Sequence, residues 1–330
     1  MANESRKKNR SPIGVRLLMI ILIVIGFVTG YITCDDIIEF LNQSGETTQE
    51  VQTGQQTIHL SPDDALIVTM LDVGQADSFL IQQGNHYALI DCGTRSSGDD
   101  VSQYLSDQGI TTLDYIIGTH PHDDHMGGME DVVKSVSVGQ VLIPEVPASL
   151  VTSNWYLSLR KELKNSKYDV VYPHVGEGYE LGKATLWIIG PIEYSGTNVN
   201  NYSIVIKLSF GEQDIIFTGD AEAEIEKQII DSGAAVDAEV LKVGHHGSDT
   251  SNTEAWITAI SPDYALISTK VGNKYSHPIK STMDRLKAHN IVVYRTDECG
   301  MVIMTITADS ITFSTKPGDY RSGEELERSN

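Results

Sequence analysis

The 330-residue chain is short of cysteine and of positive charge, and it holds one long apolar run only. Its three cysteines, Cys34, Cys92 and Cys299, are an odd number and too few for a disulfide scaffold. A Cys92–Cys299 bridge is compatible with an oxidising compartment, but nothing in the sequence demands it. Lysine and arginine number 24 against 45 acidic residues, a formal charge of −21. Such a surface repels polyphosphates and argues against avid, non-specific nucleic-acid binding, except where bound divalent metals supply local positive charge. No short fixed period recurs, which excludes a repeat array.

The apolar run covers residues 17–33 and follows a head carrying Arg6, Lys7, Lys8, Arg10 and Arg16 against the single acid Glu4. It lies near the roughly 17-residue lower limit for a membrane-spanning helix and is long for a signal-peptide core. No small-x-small cleavage pattern follows it, so the expectation is an uncleaved signal-anchor, with lipid attachment at Cys34 the second choice. With the cations inside, everything after residue 34 faces outward, and the membrane is the one partner the sequence itself names. No obligate protein partner is evident.

Residues 35–58 carry too little apolar content for a core and read as a flexible tether. Hydrophobic content of 40% with 28 glycines suits an ordinary globular body over residues 59–315, before a polar tail at 316–330. Within the body, β-branched runs bounded by glycine and polar turns alternate with helical stretches at 99–108, 128–135, 149–167, 221–231, 253–259 and 281–289. Strands in two groups with helices between them fit an αββα sandwich better than a single parallel sheet.

The stretch that organises the chain is Thr119-His120-Pro121-His122-Asp123-Asp124-His125-Met126-Gly127-Gly128, directly after the run Tyr115-Ile116-Ile117. A polar loop with incidental histidines would carry one. Three imidazoles and two carboxylates at a strand mouth suit a borderline divalent ion such as zinc, or manganese or iron. Downstream, Phe217-Thr218-Gly219-Asp220 leaves a carboxylate at another strand end. Lys242-Val243-Gly244-His245-His246-Gly247-Ser248 adds two adjacent histidines, of which one ligates and the other orients or protonates; His245 is the favoured ligand.

The match His120-x-His122-x-Asp124-His125 resembles the signature of the metallo-β-lactamase superfamily. The resemblance implies a dinuclear hydrolase: His120 and His122 on one metal, Asp124 and His125 on the second, Asp220 bridging them, and a bridging hydroxide as nucleophile. Many members place one more histidine between the metal loop and the bridging aspartate. Here His174 is alone in that interval and Asn200-Asn201-Tyr202-Ser203 occupies the expected place. An amide is a weak zinc ligand, so this points to a loosely held or water-rich ion, or to manganese.

Leu71-Asp72-Val73-Gly74-Gln75-Ala76-Asp77, Asn201-x-Ser203-Ile204-Val205, Thr218-Gly219-Asp220, the His245-His246 segment, Asn273-Lys274-Tyr275-Ser276-His277-Pro278 and Tyr294-Arg295-Thr296-Asp297 occur in that order. Over residues 64–315 the set is similar to the hydrolase domain of the ComEC competence proteins and their stand-alone relatives. ComEC often has Asp where this chain has His122, a position closer to RNase Z-like nucleases and phosphorylcholine esterases. The multi-span channel region of ComEC is not seen, so DNA transport by this chain alone is not expected.

The expected cofactors are therefore two divalent ions, zinc or manganese, with Asp124, Asp220 and His277 catalytic. His120, His122, Asp124, His125, Asp220, His245 and His246 form the metal set. His277 is placed as a general acid, Asp91 as an acceptor behind a ligand histidine, and Asp72 as the clamp of the Gly74 turn. Tyr202, Tyr275 and Lys274 are candidates for the pocket wall. The expected activity is phosphodiester hydrolysis, on DNA, RNA or a phosphocholine-bearing envelope polymer. A lactone, thioester or β-lactam hydrolase is the alternative enzyme, and a metal-stabilised binding module the alternative without turnover.

Overall fold

The computed structural model describes residues 64–328. The basic head, the apolar run at 17–33 and the tether at 35–58 lie outside the described residues. Among those described, no helix is long and apolar enough to cross a membrane.

Among the described residues, fifteen strands form two sheets. The first is ordered β15-β14-β1-β2-β3-β4-β5-β6 and the second β13-β12-β11-β10-β9-β8-β7. The first sheet comprises β1 (Leu66–Met70), β2 (Phe79–Gln83), β3 (His86–Ile90), β4 (Thr112–Ile117), β5 (Ser137–Leu142), β6 (Asp169–Val171), β14 (Val302–Ile306) and β15 (Ile311–Phe313). The second comprises β7 (Gly178–Leu181), β8 (Ala184–Gly190), β9 (Val205–Phe210), β10 (Gln213–Phe217), β11 (Val240–Lys242), β12 (Tyr264–Ile267) and β13 (Val292–Arg295).

Side chains alternate along the central strands, and both of their faces are apolar. Leu66, Val68, Met70, Ala88 and Ile90 of the first sheet meet Ile206, Leu208, Ile215 and Phe217 of the second in the central layer. There Phe79 and Phe217 make an edge-to-face pair with centroids 5.3 Å apart. Leu89, Leu113 and Ile116 point the other way, into a layer under helices Gly98–Asp107, Met129–Ser135 and Asn154–Asn165. Ile216, Leu241, Ala265 and Ile267 do the same beneath helices Ala223–Asp231, Glu254–Ile260 and Lys280–Ala288. Sheets covered on both faces explain why the strands read as near-continuous hydrophobic runs. The result is the αββα sandwich.

Two parallel blocks, β3 to β6 and β10 to β13, run inside otherwise antiparallel sheets. The chain leaves β3, β4, β10, β11 and β12 at the same edge of the sandwich. Loops at the carboxyl ends of parallel strands are where α/β proteins place their chemistry, and every candidate ligand lies on one of these.

One possibility is not realised, and one expectation changes. Cys92 and Cys299 are both free thiols, and Cys92 is buried; they belong to separate layers of the fold. The polar segment at 316–330 does not trail away. Its described part ends in a helix, Gly323–Glu327, closed by a Ser322/Glu325 capping box. Leu326 is buried, and Gly323 N–H donates to the Pro278 carbonyl at 2.9 Å. A Cβ at Gly323 would stand 2.3 Å from the His277 carbonyl oxygen, so this helix packs directly under the loop that carries His277.

Candidate metal centre

The metal loop is held by backbone contacts to its neighbours. Cys92 N–H donates to the His125 carbonyl at 2.6 Å and Asp77 N–H to that of Asp124 at 2.9 Å. Its glycine pair is required by close approach: a Cβ on Gly127 would meet the Asp123 carbonyl at 2.2 Å, and one on Gly128 the Cys92 carbonyl at 2.3 Å. His122 stays extended as the N-cap of the short helix Asp123–Met126, which turns Asp124 and His125 back toward His120.

Asp220 stands at the centre. It follows β10 after Gly219, whose φ of 51° makes the turn, and its N–H donates to the Ser203 hydroxyl at 3.0 Å. Its two oxygens face different imidazoles. Oδ1 lies 3.2 Å from His125 Nε2 and 4.0 Å from His246 Nε2. Oδ2 lies 3.8 Å from His120 Nε2 and 3.6 Å from His245 Nε2. Asp124 Oδ2 closes the first side at 3.6 Å from His246 Nε2, and His122 Nδ1 adjoins His120 Nε2 at 2.9 Å on the second.

The donor set fits divalent cations. His125 Nε2, His246 Nε2 and Asp220 Oδ1 are buried without a hydrogen-bond partner, and Oδ1 faces the two ring nitrogens at 3.2 Å and 4.0 Å. Orphaned buried polar atoms are costly and call for a ligand. Donors about 2.0–2.1 Å from a tetrahedral zinc stand about 3.3–3.4 Å apart, close to the spacings observed. The opposite ring nitrogens are committed elsewhere. His125 Nδ1 donates to Asp91 Oδ2 at 2.7 Å and His246 Nδ1 to the Ser268 carbonyl at 2.9 Å, leaving each Nε2 aimed at the centre. His120, His125 and Asp220 offer ligand atoms within 4.8 Å of one another, as do Asp124, His125 and His246.

Electrostatics agree. Burial, then the charge on His125, holds His120 and His122 below the usual imidazole value, so both present lone pairs. Burial alone would raise Asp220, but the His125, His245 and His246 rings outweigh it and keep the carboxylate ionised. Asp124 is likewise lowered against burial, chiefly by its contact with His246.

Asp91 takes the place expected of it, and it also accepts from the Thr119 N–H and hydroxyl, both at 2.8 Å. Asp72 Oδ1 meets the Gly74 N–H at 3.4 Å across the turn. Of the two asparagines, Asn201 is used up structurally: its oxygen accepts from Glu222 N–H at 3.0 Å and its amide faces Glu224 at 3.3 Å. Asn200 instead keeps a buried, unpartnered Oδ1 while its amide donates to Glu222 Oε1 at 3.1 Å. His277, Lys274, Tyr275 and Lys270 line a cavity of about 710 Å³ that opens over Asp124, Asp220, His245 and His246. Tyr275 stacks on His277 with centroids 5.4 Å apart. Tyr202 is not part of that wall; it is buried against Tyr194.

Sequence reasoning missed a buried ion pair behind the centre. Lys242 Nζ pairs with Asp77 Oδ2 and donates to the Gly219 carbonyl at 3.2 Å, and Asp77 Oδ1 lies 3.4 Å from His246 Nδ1. The signal was a lysine inside the apolar run Val240-Leu241-Lys242-Val243: a buried cation requires a buried partner.

A carboxylate shared between two sets of imidazoles, at the rim of an αββα sandwich, is the framework of a metal-dependent hydrolase. The metallo-beta-lactamase superfamily profile matches residues 71–270, and the chain belongs to that superfamily. Several of its curated relatives are ComEC-like competence proteins. It is 31% identical to ComE operon protein 3 of Bacillus subtilis (strain 168) over 270 residues, 76% of this chain and 34% of that protein. It is 28% identical to Competence protein ComA of Neisseria gonorrhoeae over 245 residues, 72% of this chain and 32% of that one. The chain thus spans about a third of the length of these relatives. Among solved structures, CmlA of Streptomyces venezuelae, a diiron beta-hydroxylase, aligns with a TM-score of 0.51 at 14% identity, over 75% of this chain and 55% of that one. That is a likeness of fold alone.

Proposed function

We propose that the chain is a dinuclear phosphodiesterase, loaded with zinc or manganese, that acts on nucleic acid or on a phosphodiester-bearing envelope polymer outside the membrane. The observation that carries this reading is the division of Asp220, with one oxygen toward His125 and His246 and the other toward His120 and His245. A pair of divalent ions held there acidifies a bound water and offsets charge on both the attacking and the leaving oxygen of an in-line displacement. The chain's own groups select the substrate. On a strongly acidic protein, Lys270 and Lys274 both line the cavity, where they favour an anionic ester. The exposed Tyr275 ring offers an apolar face beside them. His277 borders the same cavity, which supports a role in hydrogen-bonding the leaving oxygen.

The relatives' place among competence proteins favours DNA over the other esters. The basic head followed by the apolar run at 17–33 supports a membrane anchor with the hydrolase outside.

The test is turnover by the full-length chain, loaded with either metal, on bis-p-nitrophenyl phosphate, nitrocefin, and single- and double-stranded DNA. Cleavage of the phosphodiesters and not of nitrocefin is the expected outcome. Nitrocefin cleavage alone would assign the site to β-lactam-type chemistry, and full metal occupancy without turnover would make the chain a binding module.

A further inference from the structure

The histidine that the family resemblance leads one to expect before Asp220 is missing, yet a further imidazole, His245, faces the same Asp220 oxygen as His120. We propose that His245 and His246 both ligate, on opposite cations, and that His245 replaces the absent histidine at the cation shared with His120 and His122. This rests on the dinuclear reading above and assigns the ligands within it.

The backbone makes the division. His245 and His246 both adopt left-handed conformations, with φ 53° and ψ 45° and with φ 53° and ψ 22°. Two consecutive non-glycine residues there are rare and persist only when their surroundings impose them. The restraints are visible: His245 N–H donates to the Gly219 carbonyl at 3.1 Å, and Asn252 clamps Gly244 through both its backbone groups, at 2.7 Å and 2.9 Å. In an ordinary helical turn, successive side chains diverge by about 100° around one axis. Here they leave on either side of Asp220, and His245 Nε2 reaches Oδ2 while His246 Nε2 reaches Oδ1.

At 3.6 Å and 3.8 Å from the same oxygen, the Nε2 atoms of His245 and His120 are too far away to hydrogen-bond it. Both ring nitrogens therefore face the one carboxylate oxygen without bonding it. His245 Nδ1 is held from behind by the Thr250 hydroxyl at 3.1 Å, which leaves Nε2 free for an ion, and Glu222 Oε1 lies 3.8 Å from the same ring nitrogen. The competing donor is the unpartnered Oδ1 of Asn200. An imidazole outranks an amide for zinc, so the asparagine is the weaker candidate.

The experiment counts metal in the purified full-length chain by elemental analysis, and follows stepwise cobalt(II) loading by visible absorption. The wild type is expected to hold two ions. H245A should hold one, or lose at least tenfold in affinity for one of them, with the visible bands of the remaining ion unchanged. H246A should lose the other ion, with a different residual spectrum, and N200A should keep two. H245Q serves if H245A does not melt like the wild type in chelator. Two ions bound with unchanged affinity in the His245 variants, or one ion lost in N200A, overturns the assignment and leaves the dinuclear reading standing. A wild type that never binds a second ion defeats the dinuclear reading itself.

Discussion

Asp91 accepts the Nδ1 proton of His125 at 2.7 Å, and the same carboxylate closes on the Thr119 N–H and hydroxyl. It thereby sets the tautomer of one ligand and anchors the loop that carries the others. Asp91 itself sits left-handed, at φ 58°, immediately after β3. Replacement by asparagine keeps the shape but loses the charge behind His125. D91N should therefore weaken cation affinity by about 10–100-fold, the usual loss for a residue orienting a metal ligand. D91A also strands buried donors and should cost about 1–3 kcal/mol in stability. Metal titration and chemical denaturation of the two variants separate these effects; unchanged affinity in D91N would remove Asp91 from the support of the centre.

The pair of Lys242 and Asp77 makes a sharper energetic statement. Both side chains are almost wholly buried. Burial disfavours charge on each, yet each holds the other ionised, with Asp77 lowered and Lys242 raised. Removing one partner leaves an uncompensated charge in the interior, so K242M should destabilise the protein by roughly 3–5 kcal/mol. The double variant D77N/K242M should recover a large part of that loss, although the contact to His246 is then weaker. Denaturant midpoints for the single and double variants test this. Additive losses would show that the two side chains do not act as a pair.

How much of this was legible in the sequence depended on distance along the chain. His120, His122, Asp124 and His125 fall within six residues, so their chemistry can be read without the fold. Asp220 and the His245-His246 pair were legible as polar endings of apolar strands. The opposite facing of the two histidines was not, because it comes from left-handed backbone at both positions, which neither residue type announces. Lys242 and Asp77 meet only across the two sheets, and no local pattern pairs them. The segment at 316–330 looked like a tail because Leu326 alone anchors its helix, and one apolar residue gives no period. The sandwich was legible because helices cover both sheets and leave long hydrophobic runs. The short strands β6 and β7, of three and four residues with one buried position between them, were too weakly patterned to find.

Protons and cations compete for the same nitrogens. Burial opposes charge on His125 and His246. Nevertheless Asp220 and Asp91 beside the first, and Asp77 and Asp220 beside the second, lift both above the usual imidazole value, His246 to about 10. In the cation-free protein both rings therefore hold a proton at pH 7, which an incoming ion must displace. Affinity should rise with pH, and log Kd should fall by about one per pH unit for each proton released, on the order of two protons between pH 6 and 8. Calorimetry in two buffers of different protonation enthalpy counts the protons directly. A binding enthalpy independent of buffer, with a flat Kd, would show that the rings are already neutral.

His277 titrates in the opposite direction, and this limits the work it can do. Burial first, and then the neighbouring His246 and His245 rings, pushes its pKa down to about 4. A divalent cation beside those rings pushes the same way. At neutral pH the ring is therefore an uncharged imidazole, braced by Gln75 at 3.4 Å from Nδ1 and by Asn273, which holds both its backbone groups. It can donate one hydrogen bond to a leaving oxygen but does not arrive carrying an extra proton. A hydrogen bond to a charged group contributes about 1.5–3 kcal/mol, so H277Q should lower kcat by roughly 10–100-fold. The shape of the pH–rate profile between pH 5.5 and 7.5 should not change. If the wild type instead shows a limb near pH 6.5 that vanishes in H277Q, the ring is charged in the working enzyme and acts as a general acid in the full sense.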